Sequence, residues 1–284
     1  MPRGHDEVAE QLARELANHG YLASDELAQL VSVAVGLERP LLLEGPAGVG
    51  KTALAAALAA VLDRPLIRLQ CYEGIDRAEA LYDWDYARQL ADAARSTSGA
   101  LFTEGYLLPR PLLAALKTPK GAVLLVDEID RADEGFEAFL LETLAEGQVS
   151  IPELGTVRRA GPVSVVLTSN RTRALSDALR RRCLFGLLDW PGATREREIV
   201  QLHHPDADAA LVDDVVRVVR RLRTWDLVKP PGLAETLDLT AAVRWVGWRE
   251  LTVSRLQALL GTVVKDALDW AAVEPRLAEL WESG

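Results

Sequence analysis

One stretch of eight residues, Gly45-Pro46-Ala47-Gly48-Val49-Gly50-Lys51-Thr52, restricts this chain more than any other. It matches the pattern G-x-x-x-x-G-K-S/T. The apolar run Pro40–Leu43 before it reads as a buried strand, and an alanine-rich helix follows from Lys51 to about Leu62. Between a strand and a helix, such a turn is built to cradle a phosphate. The glycines let consecutive backbone N–H groups point inward, and the helix N-terminus adds positive potential. Lys51 would reach the β- and γ-phosphates of a nucleotide, and Thr52 would ligate Mg2+. The chain has only five lysines, so Lys51 does not arise from a lysine-rich background.

The remaining periodicities supply the sheet that this turn needs. Val8, Leu12 and Leu16 mark a helix over 7–17; Leu27, Leu30, Val31, Ala34 and Leu37 mark another over 25–37, with Ser24 as its N-cap. Pro65–Gln70 alternates like a strand, Ala122–Val126 and Val163–Leu167 are continuous apolar strands, and Leu184–Leu188 reads as the last. The segment 72–118 is too long for one crossover helix. It reads as a helix around Arg77–Arg95, a polar break at Ser96-Thr97-Ser98-Gly99, and a helix around Pro111–Leu116. Helices are expected at Asp133–Glu146 and Ala174–Arg182, and a β-hairpin at 148–159 around Pro152-Glu153-Leu154-Gly155. Strands alternating with helices imply a parallel sheet with helices on both faces. Beyond Pro191 only helices are expected: 193–203, 207–225, 234–246, 249–269 and 273–282. Six of the seven tryptophans lie in 190–284, so a domain boundary is expected there, dividing an α/β domain (1–190) from a helical domain (191–284).

Composition narrows the class further. The net charge of −10 disfavours non-specific binding to a nucleic-acid backbone. The longest apolar run, Ala53–Leu62, is ten residues, too short for a transmembrane segment, and the N-terminal stretch is polar and amphipathic without a targeting core. Cys71 and Cys183, 112 residues apart, make no disulfide framework or zinc pattern. The pair His203-His204 has no neighbouring cysteine and reads as a solvated helix end. The expectation is a cytoplasmic, soluble protein that is not a metalloprotein of the cysteine–histidine kind.

The ends of the strands carry the chemistry. The strand at 122–126 runs into Asp127-Glu128, two carboxylates that point in different directions. Asp127 would hold the hydration shell of Mg2+, and Glu128 would act as general base on water. Asn170, one of only two asparagines, ends the next strand, where a polar group sits in the ligand crevice and either orients water or touches the γ-phosphate. Leu179-Arg180-Arg181-Arg182-Cys183 closes a helix with three arginines. The helix dipole accounts for some of them. One, Arg182 first and Arg181 second, would serve as a finger reaching a neighbouring subunit's phosphate.

In order and type these signals resemble the AAA+ ATPases over nearly the whole chain: Walker A, Walker B with Asp-Glu, a sensor-1 asparagine, an arginine finger and a helical lid. Asp127-Glu128-Ile129-Asp130-Arg131-Ala132 is similar to the Asp-Glu-(Ile/Asn)-x-Arg-(Ala/Val) signature of the MoxR group. The 72–118 segment and the 148–159 hairpin match that group's insertions at helix 2 and before sensor 1. Leu81-Tyr82-Asp83-Trp84-Asp85-Tyr86 and the Lys229–Asp238 stretch resemble its CoxD-like branch, associated with maturing molybdenum hydroxylases alongside a von Willebrand A-domain protein. The resemblance implies a P-loop NTPase sheet with helices on both faces and an all-helical lid. It also implies ATP and Mg2+ as cofactors, hydrolysis of ATP to ADP and phosphate, a homo-oligomeric, six-membered (hexamer) ring, and a protein client.

The chain departs from the AAA+ pattern in the lid. Where many members carry a sensor-2 arginine, this one reads Ala234-Glu235-Thr236, with Arg244 the next arginine; Arg131 is a second source of compensating charge. Tyr72-Glu73-Gly74-Ile75 is either a pore loop or a plain turn, and Tyr21-Leu22 either contacts adenine or packs a helix end. Arg217, Arg220, Arg221 and Arg223 read as a solvated or subunit-contact face. Two other functions stay open: a nucleotide-gated scaffold with negligible turnover, and a nucleic-acid motor, against which the acidic charge argues.

Overall fold

A computed structural model describes residues 5–94 and 102–281, so the Ser96-Thr97-Ser98-Gly99 break lies outside the described residues. Two compact units emerge. One holds the chain up to His19, Ala23–Gly45 and Lys51–Leu187; the other holds Gly20–Leu22, Pro46–Gly50 and the chain from Leu188 onward. The central turn Pro46–Gly50 therefore packs with the second unit, although both its flanks belong to the first.

The first unit opens with helices α1 (His5–Asn18) and α2 (Asp25–Gly36), the latter capped by Ser24, whose hydroxyl accepts the Leu27 N–H. Strand β1 (Leu41–Glu44) leads to α3 (Lys51–Val61), and β2 (Leu66–Gln70) follows. Then come α4 (Arg77–Leu81), β3 (Tyr82–Trp84), α5 (Tyr86–Ala93), β4 (Leu107–Pro109), α6 (Pro111–Lys117) and β5 (Ala122–Asp127). Helix α7 (Glu134–Glu146), β6 (Gln148–Ile151), β7 (Gly155–Arg158), β8 (Val163–Ser169), α8 (Asp177–Arg182) and β9 (Leu184–Leu187) complete it.

Five strands form a parallel sheet in the order β2-β5-β8-β1-β9. Burial explains who lies where. Strands β1 and β5 are buried at every residue, as a strand covered on both faces must be, whereas the edges β2 and β9 keep exposed positions. Because β5, β8 and β1 are adjacent, their carboxyl ends deliver Asp127, Asn170 and Gly45 to one place. That is where ligands bind in sheets of this class.

One helix expected over 77–95 is in fact two. Asp76 starts α4 with a capping box, β3 then pairs antiparallel with β4, and Asp85 caps α5 by accepting the Arg88 N–H. The interruption is held by Trp84, buried edge-on to Tyr82 and Phe102. Burying an indole outweighs the modest helix propensity of the intervening residues.

The second unit is helical: α9 (Ala193–His203), α10 (Ala209–Leu222), α11 (Leu233–Trp245), α12 (Val253–Ala258), α13 (Ala267–Val273) and a 3-10 segment, Glu274–Trp281. Its core joins Leu211, Val215, Val218 and Leu222 of α10 to Leu239 and Val243 of α11 and to Leu256 and Leu277. The helix expected over 249–269 is broken into α12, a 3-10 turn and α13. Thr252 caps the first piece by accepting the Arg255 N–H, and Asp266 restarts the last by accepting from Leu268 N. No helix among the described residues is long and apolar enough to cross a membrane.

Candidate nucleotide site

The turn after β1 requires its glycines. Gly48 and Gly50 have φ of +73° and +101°, and a Cβ on Gly48 would lie 3.3 Å from the Gly232 Cα. Lys51 opens α3 and is buried. Its Nζ donates to the Gly45 carbonyl at 2.7 Å and to Asn170 Oδ1 at 2.8 Å. Burial lowers the lysine's pKa, an effect partly opposed by the charges of Asp130 and Asp127. A bound anion would restore what burial removes.

Thr52 Oγ1 donates to Asp127 Oδ1 at 3.3 Å. A hydroxyl and a carboxylate that close are hard oxygen donors of the kind Mg2+ takes together with nucleotide phosphates. Thr168 sets the two acidic residues in place: its hydroxyl donates to Asp127 Oδ1 at 2.5 Å and accepts the Glu128 N–H at 3.0 Å. Glu128 has φ +55°, a left-handed conformation that turns its side chain out of the strand. Its carboxylate accepts from Asn170 Nδ2 at 3.4 Å and Gln70 Nε2 at 3.2 Å, and pairs with Arg131 Nε at 3.1 Å. Asn170 therefore bridges Lys51 and Glu128. Asp130, also buried, accepts Asn170 N at 3.3 Å and Thr172 N at 2.8 Å. Burial pushes its carboxyl up, but the donors of Thr172 and Asn170 outweigh that and hold it below the usual range.

Sequence reasoning missed the contribution of β2. Arg68 donates to Asp127 Oδ2 from Nε at 3.0 Å and from Nη2 at 2.6 Å, and Gln70 reaches Glu128. Two residues apart on one strand, they share a face. The alternation was visible, but the register that sets Gln70 opposite Asp127 was not.

Tyr21 lies in the same unit as Pro46–Gly50, and its ring is 3.5 Å from where a Cβ on Gly50 would stand. Burial pushes the tyrosine hydroxyl's pKa up, against a smaller opposing effect of Arg195. Leu22 follows it, half-buried. Pro46, Ala47 and Val49 complete the turn, Val49 with its side chain buried.

Arg181 and Arg182 end α8 and are exposed. Leu184 pairs with Leu41 at the start of β1, so Arg182 sits at the amino end of the sheet, beside a cavity of about 590 Å³ with Leu37 and Pro40. The four-residue strand β1, about 13 Å long, runs from that end to the glycine turn. Arg180 instead donates to Glu44 Oε1 at 2.7 Å.

Arg244 does not occupy a sensor-2 position. The N-terminus of α11 adjoins the glycine turn, with Leu233 N donating to Gly48 O at 3.1 Å. Arg244 comes about 16 Å further along the helix and meets His204 Nδ1 at 3.3 Å. At the helix start stands Glu235, which accepts the Gly232 N–H at 2.7 Å. Arg223 corrects a second expectation. It is no surface charge: it is buried and donates from both Nη atoms to Glu196, a fully buried carboxylate, at 2.8 and 2.6 Å. His204 likewise packs inside the helical unit, against the Leu237 carbonyl at 3.3 Å. Tyr72–Ile75 is a turn closed by Ile75 N to Tyr72 O, with Tyr72 exposed and Ile75 buried.

The profile of the AAA domain, dynein-related subfamily, matches residues 40–183, just over half of the chain. The chain belongs to this AAA family. Within the AAA+ ATPases it is of the MoxR group. It is 28% identical over 200 residues to the gas vesicle ATPase GvpN of Haloferax mediterranei, covering 65% of this chain and 56% of that protein. It thus spans little more than half the length of that relative. Against protein NorQ of Paracoccus denitrificans it is 27% identical over 269 residues, covering 92% of each. The denitrification regulatory protein NirQ of Stutzerimonas stutzeri is 27% identical over 199 residues, with 66% of each chain covered. A point variant of Thermotoga maritima RuvB superposes with a TM-score of 0.51 at 19% identity, over 85% of this chain and 70% of that one, and shows the fold alone.

Proposed function

We propose that this AAA protein is a Mg2+-dependent ATPase that remodels or matures a protein partner. The observation that carries the reading is the continuous hydrogen-bonded line from Lys51 through Asn170 to Glu128, beside the Thr52–Asp127 pair. Lys51 and the backbone of Gly45–Gly50 would hold the β- and γ-phosphates, and Thr52 and Asp127 would hold the metal, Asp127 through water. The metal supplies charge neutralisation at the transferring phosphoryl group. Glu128 takes the proton of the attacking water, and Asn170 keeps that water and Lys51 in line. Tyr21 and Leu22 would flank the adenine.

We assign Arg182, with Arg181 as second choice, to a neighbouring protomer's site; its exposure at the amino end of the sheet is compatible with that role. That requires a ring, which we take as a hexamer. The likeness to the CoxD-like branch supports a chaperone role in metal-enzyme assembly, which we assign to the cytoplasm. We assign the client to the molybdenum hydroxylase class, with a von Willebrand A-domain protein as co-partner and no nucleic acid.

The test is ATP hydrolysis per protomer over a wide range of protein concentration, for the native chain, Glu128→Gln and Arg182→Ala. A rate that climbs with concentration and falls at least a hundredfold in both variants is expected. A second reading, a nucleotide-gated scaffold, is favoured by Glu235 at the start of α11 and by Arg68 on Asp127. Tight ATP binding with a flat, near-zero rate would select it.

A further inference from the structure

Four non-glycine residues among those described have positive φ: Glu38, Asp63, Glu128 and Arg171. Glu38 and Asp63 lie just past the ends of α2 and α3, where left-handed residues commonly close helices. Arg171, at φ +62°, closes no helix; it follows strand β8 and the site residue Asn170. Its turn is pinned. Arg171 N donates to Ser169 Oγ at 3.0 Å, while the residues on either side, Asn170 and Thr172, both donate backbone N–H groups to buried Asp130. A conformation costly for arginine is thus enforced from three points.

This turn aims the side chain at the phosphate end of the site. Arg171 Nε is 3.8 Å from Glu44 Oε2, and Glu44 directly precedes Gly45, whose carbonyl holds Lys51 Nζ. Asn170, on its other side, holds the same Nζ. Glu44 does not need Arg171 as a partner, because Arg180 already meets its other oxygen at 2.7 Å. The Arg171 side chain is left 49% exposed, a loosely tied cation near a buried lysine. A terminal phosphate held by Lys51 would attract this second cation as well, and a guanidinium suits phosphate geometry.

We propose that Arg171 contacts the γ-phosphate of the nucleoside triphosphate from within the same chain. The assignment rests on the ATP reading above and deepens it.

The experiment measures Kd for ATP and for ADP with the full chain, in the native protein, Arg171→Gly and Arg171→Lys, by calorimetry in Mg2+ buffer. Glycine adopts φ +62° without strain, so Arg171→Gly removes the charge while keeping the turn; circular dichroism and a thermal melt check its folding. The expected result is a preference for ATP over ADP reduced about tenfold in Arg171→Gly, with ADP affinity changed less than about twofold, and partial retention in Arg171→Lys. An unchanged ATP-to-ADP ratio, or equal loss of both nucleotides, overturns the assignment, while the ATP reading stands on the affinity of the native chain. Failure of the native chain to bind ATP overturns the underlying reading and this one with it.

Discussion

Removing Arg223 tests whether the buried charge pair organises the helical unit. Glu196 is fully buried, and its carboxylate has four neighbours: Arg223 Nη1 at 2.8 Å, Arg223 Nη2 at 2.6 Å, Thr236 Oγ1 at 2.7 Å and Arg220 Nη1 at 3.7 Å. Arg223→Ala deletes the two shortest charged contacts and leaves one neutral hydroxyl and a distant guanidinium. An uncompensated buried charge costs about 3–5 kcal/mol. Arg220 is close enough to recover part of that, so about 3 kcal/mol is expected, roughly a hundredfold in the folding equilibrium. Guanidinium unfolding followed by tryptophan fluorescence reads the effect, because Trp190 stacks on Arg223 at 4.8 Å. The loss also reaches the glycine turn. Arg223 Nε holds the Pro231 carbonyl at 2.7 Å, two residues before the Leu233 amide that bonds Gly48. Combining Glu196→Gln with Arg223→Met removes both charges and is expected to recover most of the stability. A loss below about 1 kcal/mol for Arg223→Ala, or a double variant no more stable than the single one, would refute the argument.

Three further outcomes are expected. Lys51→Ala should abolish the rise in melting temperature that ATP with Mg2+ produces in the native chain; a retained rise would remove Lys51 from phosphate binding. Burial raises the thiols of Cys71 and Cys183 to about 12, so neither should react with a disulfide reagent at pH 8 until denaturant exposes both, and rapid labelling of the folded protein would contradict their placement. Asp130 has a folded pKa below its unfolded one, so its stabilisation is complete above the usual aspartate range and is lost as pH falls through the folded value, below about 4. Asp130→Asn should therefore flatten the acid limb of the stability curve, and an unchanged acid limb would show that the Thr172 and Asn170 donors contribute nothing there.

What could be read along the chain was what short-range spacing controls. The glycine turn, the apolar runs of β1, β5 and β8, and the polar residues closing them follow from a few consecutive residues each, so sequence alone marks Lys51, Thr52, Asp127, Glu128 and Asn170 as the polar groups at the strand ends and the turn. The two helix breaks were less legible. They depend on Asp85 and Asp266 acting as new caps and on Trp84 finding a buried site, and caps in mid-pattern look like ordinary surface acids. The pairing of charges was not legible at all. Arg68 on Asp127, Arg180 on Glu44 and Arg223 on Glu196 join residues 59, 136 and 27 positions apart. The distance of Arg244 from the glycine turn was equally illegible, since only the docking of the start of α11 against Gly48 puts a residue about three turns later out of reach of it. Local pattern decides which side chains the strand ends present. Strand order, register and helix packing decide which opposite charge each one meets, because a cation and a carboxylate interact through space at a few ångströms, however many residues of chain lie between them.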